Sequence, residues 1–439
     1  MNFEEAVAYL LSLGHETLAM KFGLRNTELL LKALSNPDKS FMSVQIAGTN
    51  GKGSTATMLD SICHAAGIRT GLYTSPHLVS ITERITVAGV EIEREEFAHH
   101  VTTVRTAAEG LLGSGNIDAL PTFFEQITCT ALLAFREAGV ELAILETGLG
   151  GRLDSTTAAN ASVVGITPIA MDHEEYLGHS IEEIAAEKAA IIRPGVVAVI
   201  GQQTREAMAV ILDRCKQVGV TPFSPNFSAR VVDVTPEGQF RVCLKTETNR
   251  YDDVSLKLFG EHQIENAALA VRLAEALQST GLSMSRSSII QGLETASHPG
   301  RLEIIRGKPS FILDGAHNPA GAQSLRRYLD AFGPRPLTMI FGAMSDKRLD
   351  QIGENLFSAT DTLILTPIKN PRTASIDYLK SAAVSIAGGE VIVTSSSEEA
   401  LRVALDRTPA SGIICVTGSL YLLGEIRPLI IDRQRTQQT

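Results

Sequence analysis

The chain has 439 residues, a formal net charge of −10, and 44% hydrophobic and 20% charged residues. This length favours two domains rather than one, and the acidic balance argues against a nucleic-acid partner. No apolar run reaches the length that spans a bilayer, so we expect no membrane partner either.

The first residues and the cysteines bear on the cellular compartment. Residues 1–5 are acidic and lack the basic and then apolar form of a signal peptide. Five cysteines are scattered along the chain without the spacing of zinc or redox sites. We therefore expect reduced, mostly buried thiols in a cytoplasmic protein.

A glycine-rich segment with one lysine follows a predicted strand over 41–46 and precedes a predicted helix over 56–66. This order is typical of a phosphate-binding loop, where backbone N–H groups and a cation hold an anion. The segment departs from the general pattern, because Ile46 stands where a glycine is expected and Gly53 follows Lys52 directly. A solvated lysine in an ordinary strand–helix turn is the alternative.

Two segments offer oxygen ligands near the predicted loop. Leu142–Glu146 is an apolar run that ends in a carboxylate, which is well placed to hold Mg²⁺ if the run is a buried strand. Ser75 precedes a proline and could present its hydroxyl to a metal from a tight turn. The alternatives are a strand-end glutamate that faces water and a simple proline turn.

A third predicted strand, over 163–169, leads to Asp172 and His173. These side chains could serve a metal at the strand end. Mg²⁺ prefers oxygen ligands, however, and a lone histidine is more often a hydrogen-bonded structural residue. The residues alone therefore leave both interpretations open.

The helix predicted after Ser180 carries a lysine on its apolar face. Lys188 falls on one face with three isoleucines, at steps of 3 and 4 residues. A buried ammonium is costly unless it is paired or chemically changed. It could extend to solvent, pair with Glu187 or Glu174, or be carbamylated to an anion that supports a metal site.

The second half of the chain begins differently. Residues 229–258 alternate apolar and polar side chains, which predicts a small antiparallel excursion before a long helix over 265–278. Pro299 and Gly300 then break any helix, and a new α/β series follows. We place the domains at 1–297 and 298–439, with the polar tail after Ile431 expected to fray.

In the second predicted domain, a short apolar strand runs into Asp314 and His317. Asn318 suits a helix N-cap and Pro319 the first helical position. Asp314 and His317 should therefore lie at a strand's carboxyl end and face the cleft between domains. A capped turn with solvated side chains is the alternative.

Taken together, these segments resemble the folate-ligase branch of the Mur ligase family, the dihydrofolate and folylpolyglutamate synthases. They occur in family order from about residue 44 to about residue 425, and each is weak alone. The segments that carry the resemblance are Gly48-Thr49-Asn50-Gly51-Lys52-Gly53-Ser54, Thr74-Ser75-Pro76-His77-Leu78, Thr122-Phe123-Phe124-Glu125, Glu146-Thr147-Gly148-Leu149-Gly150-Gly151-Arg152-Leu153-Asp154, Asp172-His173, Glu187-Lys188, His262-Gln263-Ile264-Glu265-Asn266-Ala267-Ala268, Pro299-Gly300-Arg301-Leu302-Glu303, Asp314-Gly315-Ala316-His317-Asn318-Pro319 and Gly418-Ser419-Leu420-Tyr421.

The resemblance implies an α/β protein with an N-terminal P-loop NTPase-like ATPase domain and a smaller C-terminal Rossmann-like domain. It implies an amide ligase that uses ATP and Mg²⁺, with a monovalent cation as an optional addition. The small-molecule substrates would be a pterin or folate, L-glutamate and ATP. The reaction would pass through an acyl phosphate, on dihydropteroate, on folate polyglutamates, or on both. We expect a monomer.

The resemblance also implies roles for individual residues. The residues implied to bind ATP are Gly48, Thr49, Asn50, Gly51, Lys52, Gly53, Ser54, Thr55, Asn266, Arg301, Asp314 and His317. Those implied to bind the pterin are Thr122, Phe123, Phe124, Glu125, Leu153, Asp154 and Ser155. Those implied to bind Mg²⁺ are Ser75, Glu146 and His173; the implied catalytic residues are Lys52, Glu146, His173 and a carbamylated Lys188.

The sequence departs from the family pattern at two places, and two alternative functions remain open. His298 stands where family members often have Trp, and Ser155-Thr156-Thr157 stands where Ala-Thr-Asn is commoner. Another Mur-type ligase would carry an extra N-terminal domain, whereas about 45 residues, with one or two amphipathic helices, precede the loop here. A nucleotide-binding regulatory protein without ligase activity is the other alternative.

Overall fold

Three β-sheets organise the chain in the computed structural model, which describes residues 1–14, 23–333 and 335–438. All residues proposed for the site fall within these ranges. Among the described residues, no helix is both long and apolar enough to cross a bilayer. The described cysteines are all free, and only Cys243 is partly exposed.

The first sheet has seven strands in the order β4-β3-β2-β5-β1-β6-β7. Its central strands are parallel, and β3 and β4 add an antiparallel edge. Strand β5 is buried along its whole length, as expected for a parallel strand covered on both faces. The strands are β1 (Met42–Ala47), β2 (Thr70–Tyr73), β3 (Ile85–Val87), β4 (Val90–Glu91), β5 (Leu142–Glu146), β6 (Val163–Ile166) and β7 (Val197–Ile200).

Helices cover both faces of this sheet. Helices α3, α9 and α10 pack together on one face, and α4 and α5 pack with α1 on the other. The helices of this part are α1 (Phe3–Ser12), α2 (Arg25–Ala33), α3 (Lys52–Ala65), α4 (Arg94–Gly113), α5 (Phe123–Glu137), α6 (Glu174–Leu177), α7 (Ile181–Ala189), α8 (Arg205–Gln217), α9 (His262–Ser279) and α10 (Arg286–Thr295).

The antiparallel excursion is confirmed. Strands β8 (Ser228–Val234), β9 (Phe240–Lys245) and β10 (Arg250–Ser255) form a three-stranded sheet in the order β10-β9-β8. Val242, Leu244 and Val254 are buried, and their burial explains the alternation in the sequence, because one face packs on α9 and α10.

The third sheet has six strands in the order β11-β12-β16-β13-β14-β15. We call this sheet and its helices the second α/β layer, and the seven-stranded sheet and its helices the first. All its neighbouring strands are parallel except β11 and β12. Its elements are β11 (Glu303–Ile305), β12 (Ser310–Asp314), α11 (Pro319–Phe332), β13 (Leu337–Phe341), α12 (Leu349–Leu356), β14 (Thr362–Leu365), α13 (Ile376–Ala383), β15 (Glu390–Val393), α14 (Ser397–Arg407), β16 (Ile413–Thr417) and α15 (Leu420–Gln438). The α/β prediction is therefore confirmed, while the domain limits stay a prediction.

Two local predictions are wrong. Helix α3 begins at Lys52 rather than at residue 56, because Gly51 takes the left-handed conformation that ends the loop there. The C-terminal segment after Ile431 is helical and not irregular, since α15 continues to Gln438. Gln434 on this helix donates a 2.7 Å hydrogen bond to the Arg306 carbonyl and ties the end to the fold.

Candidate active site

A cavity of about 1200 Å³ lies where strand ends of the first sheet face the second α/β layer. Every residue proposed from the sequence for the site lines this cavity, except Thr55, which is fully buried on α3. Ligands of open α/β sheets bind outside the carboxyl ends of strands, so the position agrees with the topology. The individual roles of these residues remain predictions.

The loop after β1 turns tightly into α3. Gly51 has φ of +86°, and a Cβ there would lie 2.2 Å from Oδ1 of Asn266. Asn266 is buried on α9 and donates to Gln263, which in turn donates to the Ser54 hydroxyl at 3.3 Å. Helix α9 therefore supports the loop, and the family-implied residue Asn266 contacts it directly.

Gly53 explains the departure from the general P-loop pattern. It lies in the first turn of α3, where a Cβ would come 2.6 Å from Cε1 of His298 and 3.3 Å from Oε2 of Glu146. Any side chain at this position would occupy the space between the loop and the strand-end carboxylate. The Nδ1 atom of His298 also lies 3.4 Å from the Ser54 hydroxyl.

The side chain of Lys52 folds back over the loop between β1 and α3. Its ammonium donates to the carbonyls of Gly48 and Thr49, each at 3.2 Å. Burial lowers its pKa, while the charges of Glu146 and Asp172 oppose that shift. The cation thus lies at the positive end of α3 and favours a bound anion.

Glu146 ends β5 with a buried carboxylate. Its Oε2 accepts a 3.1 Å hydrogen bond from the Ser75 N–H. Burial raises its pKa, and Lys52 and the Ser75 N–H counteract this effect. The carboxylate and the Ser75 hydroxyl supply the oxygen donors that Mg²⁺ prefers, so these residues fit the implied metal.

His173 lines the same cavity as this donor set and follows Asp172 in a left-handed conformation, with φ of +51°. Burial lowers the pKa of its imidazole to about 3, so the ring is neutral and its nitrogen lone pair is free to bind a cation. Its Nε2 is 4.0 Å from Oδ2 of Asp172. His173 therefore fits the implied metal by charge, although nitrogen is an uncommon ligand for Mg²⁺.

Asp172 forms a cluster with the second α/β layer. Lys347 approaches Oδ1 at 2.8 Å, while Asn318 donates to Oδ2 at 3.1 Å and the Nε2 of His317 lies 3.4 Å from it. Burial favours the neutral acid, but His317, His173 and Lys347 together hold the pKa of Asp172 well below its usual value. The carboxylate is therefore ionised and joins the two α/β layers.

Lys188 is buried on α7, as its helical face predicted. Its ammonium donates a 2.8 Å hydrogen bond to the Gly48 carbonyl rather than to either proposed carboxylate. Glu187 pairs instead with Arg152 at 2.9 Å, and Glu174 pairs with Arg348. The alternative in which Lys188 pairs with Glu187 or Glu174 is therefore excluded.

Burial and the neighbouring charge of Lys52 lower the pKa of Lys188 to about 7. A substantial fraction of this amine is consequently uncharged near neutral pH. An uncharged amine is nucleophilic, which an ordinary lysine is not.

Asp314 ends β12 and lies opposite the loop. Its carboxylate accepts from the N–H groups of Leu302 and Ala316 at 2.9 and 3.0 Å, and burial raises its pKa against the attraction of Arg301. Asn318 caps α11 and Pro319 occupies its first turn, as predicted. The Nδ1 of His317 lies 2.8 Å from the Gly315 carbonyl, which orients the ring towards Asp172.

The predicted pterin region begins at the N-terminus of α5, where Thr122 and Glu125 form a capping box. The two phenylalanines differ. Phe123 is 2% exposed and lies in the core with the Arg84 guanidinium 5.4 Å from its ring, whereas Phe124 is half-buried against Tyr73. Phe124 is therefore the better candidate for ligand contact.

The loop after β5 forms the other wall of this region. Asp154 is buried and accepts from the N–H groups of Gly148 and Leu149 at 2.8 and 3.0 Å, so its carboxylate shapes the loop. Ser155 is buried beside it, while Leu153 is 40% exposed. This arrangement leaves Leu153 as the apolar side chain available to a ligand.

Sequence reasoning missed three contributions. The sequence does not indicate a role for Lys347 or the partners of Asp172. It also does not indicate that His298 lies beside Gly53 and Ser54. Lys347 follows the carboxyl end of β13, so the strand-end rule that selected Glu146 could have found it.

Comparisons with known proteins agree with this architecture. Residues 46–274 match the Mur ligase middle domain, and residues 300–420 match the Mur ligase glutamate ligase domain. The chain is 33% identical over 423 residues to a dihydrofolate synthase/folylpolyglutamate synthase of Bacillus subtilis, covering 94% of this chain and 96% of that protein.

A probable bifunctional folylpolyglutamate synthase/dihydropteroate synthase of Halobacterium salinarum is 34% identical over 432 residues, which are 97% of this chain. The chain spans only about half of that relative's length, 51%. The solved structure of Escherichia coli FolC in complex with DHPP and ADP superposes with a TM-score of 0.87 at 30% identity, covering 99% of both chains. The chain therefore belongs to the Mur ligase family, and it is an ATP-dependent ligase.

Proposed function

We propose that this ligase joins L-glutamate to dihydropteroate, to folate polyglutamates, or to both, through an acyl phosphate. The observation that carries the proposal is the single cavity that unites the phosphate loop, Glu146, Lys188 and Phe124. The relative from Bacillus subtilis is named for both reactions, and the Escherichia coli structure holds DHPP and ADP.

The first step brings two anions together, since a substrate carboxylate attacks the γ-phosphate of ATP. The loop N–H groups and the start of α3 offer partial positive charge, and Lys52 adds a full one. ADP leaves, and the resulting acyl phosphate is attacked by the amine of L-glutamate with release of inorganic phosphate. Charge neutralisation and positioning are therefore the main demands on the protein.

Ser75, Glu146 and His173 are the residues that would hold Mg²⁺. When bound, the ion would neutralise phosphate charge beside Lys52. The same carboxylate position explains why the chain keeps a glycine at position 53, since a side chain there would crowd Glu146.

Lys188 is proposed to be carbamylated. Its uncharged amine would attack CO₂, form an N–C bond and lose a proton, giving a carbamate anion. Its pKa of about 7 supplies the uncharged amine, and Lys52 beside it would attract the product. No carboxylate pairs with Lys188 in the described part of the chain, so the modification would place a new anion beside Lys52.

Water must be kept from the acyl phosphate, and the two α/β layers do this together in the proposal. Asp172 holds Lys347 and Asn318 across the cleft, and Asn50 of the loop exchanges hydrogen bonds with Asn318 at 3.0 and 3.4 Å. A monomeric state is part of the proposal. Light scattering of the purified protein would measure that state.

The test is phosphate release by the purified protein with ATP, Mg²⁺ and L-glutamate, with dihydropteroate and tetrahydrofolate supplied separately. Release that needs both glutamate and one pterin supports the proposal, and the pterin that works assigns the reaction. Lys52→Ala should abolish turnover, and unchanged turnover would contradict the phosphate-loop role. ATP binding without release under all conditions would favour a regulatory protein, and release only with a nucleotide-linked precursor would favour another Mur-type ligase.

A further inference from the structure

Outside the active-site cavity, a group of metal-ligating side chains lies between α4 and α5. His99 and His100 are on α4, and Glu137 is the last residue of α5. One donor atom from each residue can be chosen so that all three lie within 4.8 Å of one another. Among the described residues this is the one group of three or more His, Cys, Asp or Glu side chains with that property.

His100 supplies an independent observation. The residue is 7% exposed, and its Nδ1 atom is buried without a hydrogen-bond partner among the described residues. Oε2 of Glu137 is 3.7 Å from this atom, which is too long for a hydrogen bond. A buried unpartnered nitrogen is costly, so the position favours a ligand that would bind it.

Contacts with neighbouring groups keep the donors close to one another. The rings of His99 and His100 meet edge to face with centroids 5.5 Å apart. Arg136 approaches Oε1 of Glu137 at 3.6 Å and leaves Oε2 on the side of His100.

We propose that His99, His100 and Glu137 form a binding site for a divalent transition-metal ion such as Zn²⁺. Two imidazoles and one carboxylate suit Zn²⁺ and disfavour Mg²⁺, which prefers oxygen ligands. Small rotations of exposed His99 and Glu137 are needed to reach bond lengths of about 2.0–2.2 Å. Three protein ligands leave the fourth position to water.

The proposed ion would link α4 to the end of α5. Helix α5 also carries the capping box Thr122–Glu125 at its other end, beside the cavity. The site is therefore expected to stabilise the helical layer and not to take part in the ligase reaction. Binding to the folded state alone raises Tm, by about 3 °C for a chain of this size at a free Zn²⁺ concentration of about 100 times Kd.

The experiment measures Zn²⁺ bound to the full chain by equilibrium dialysis and elemental analysis, with Mg²⁺ and ADP in excess to occupy the active site. Wild type is compared with His99→Ala, His100→Gln and Glu137→Gln, and with His64→Ala as a control at an exposed histidine outside the group. We expect the three variants to lose one equivalent of Zn²⁺ and the Tm rise, while His64→Ala keeps both. Ligase activity with Mg²⁺ alone should be unchanged in His99→Ala.

Cobalt distinguishes this site from other binding. Co²⁺ added to wild type should give visible absorption that His99→Ala lacks. Equal Zn²⁺ stoichiometry in wild type and His99→Ala, or no Zn²⁺ binding by wild type, would overturn the proposal. Because His99 is exposed, its variant tests the site even if His100→Gln fails to fold.

Discussion

Lys347 and Asp172 form an ion pair of 2.8 Å across the cleft, with both side chains less than 10% exposed. The pair joins the loop after β6 to the loop after β13, and Asn318 and His317 share the same carboxylate. Because the cavity lies beside this pair, the contact couples the arrangement of the two α/β layers to the site.

Lys347→Met should reduce kcat/KM for ATP about 10- to 100-fold. A broken buried pair costs several kcal/mol, and only part of this cost is expected here because Asp172 keeps Asn318 and His317. Arg348→Met is the matched control, since Arg348 pairs with Glu174 at a side-chain exposure of 42%. Exposed pairs contribute about 0–1 kcal/mol, so this control should change kcat/KM less than about fivefold. Steady-state kinetics and Tm should be measured for both variants. Equal losses of kcat/KM in Lys347→Met and Arg348→Met would contradict the coupling role.

Local patterns predicted most of the fold and part of the cavity wall, whereas other lining residues, such as Asn266 and Arg301, were implied only by the family resemblance. Glu146, Asp172 and Asp314 were found because apolar runs ended in polar residues, and parallel strands bring their carboxyl ends to one edge. The contacts of Lys347 and His298 were not found, because they depend on how two α/β layers meet. No periodicity within one element records that arrangement, and a resemblance that lists motifs in order does not supply it.

Gly53→Ala should raise the KM for ATP about tenfold, because the new Cβ would lie 2.6 Å from His298 and crowd Glu146. His298→Ala removes the closer obstacle. The double variant should therefore recover part of the lost affinity, and a double-mutant cycle on ADP binding measures that coupling. Additive losses in the cycle would show that His298 is not the obstacle.

Phe124→Ala and Phe123→Ala should affect different quantities. Phe124 lines the cavity half-buried, so its truncation should raise the KM for dihydropteroate about tenfold with little change in Tm. Phe123 is 2% exposed in the core, and its truncation should cost about 3–5 kcal/mol of stability. Steady-state kinetics and thermal unfolding of the two variants test this difference. An unchanged KM for dihydropteroate in Phe124→Ala would show that Phe124 does not belong to the pterin site.

Carbamylation of Lys188 should depend on pH and on dissolved CO₂. The uncharged amine that reacts with CO₂ predominates above its pKa of about 7, so the modified fraction should fall as pH drops through 7. Enzyme prepared with ¹³C-bicarbonate should give a carbamate signal in ¹³C NMR that Lys188→Gln lacks. A crystal that contains a bare ammonium, with no density beyond Nζ at pH 8, would count against the modification.

His298 should make stability depend on pH in the acid range. Burial, with Arg301 nearby, lowers its pKa to about 3, against an unfolded value of about 6.5. The unfolded chain therefore binds more protons between these values, and stability is lost as pH falls below about 6.5, by up to about 1.4 kcal/mol per pH unit. In His298→Gln the fall in Tm from pH 7 to pH 5 should be about 1–3 °C smaller than in wild type.

His64→Gln, at an exposed position, controls for the change of residue type. Equal falls in wild type and His298→Gln would mean that the imidazole is already solvated in the folded protein.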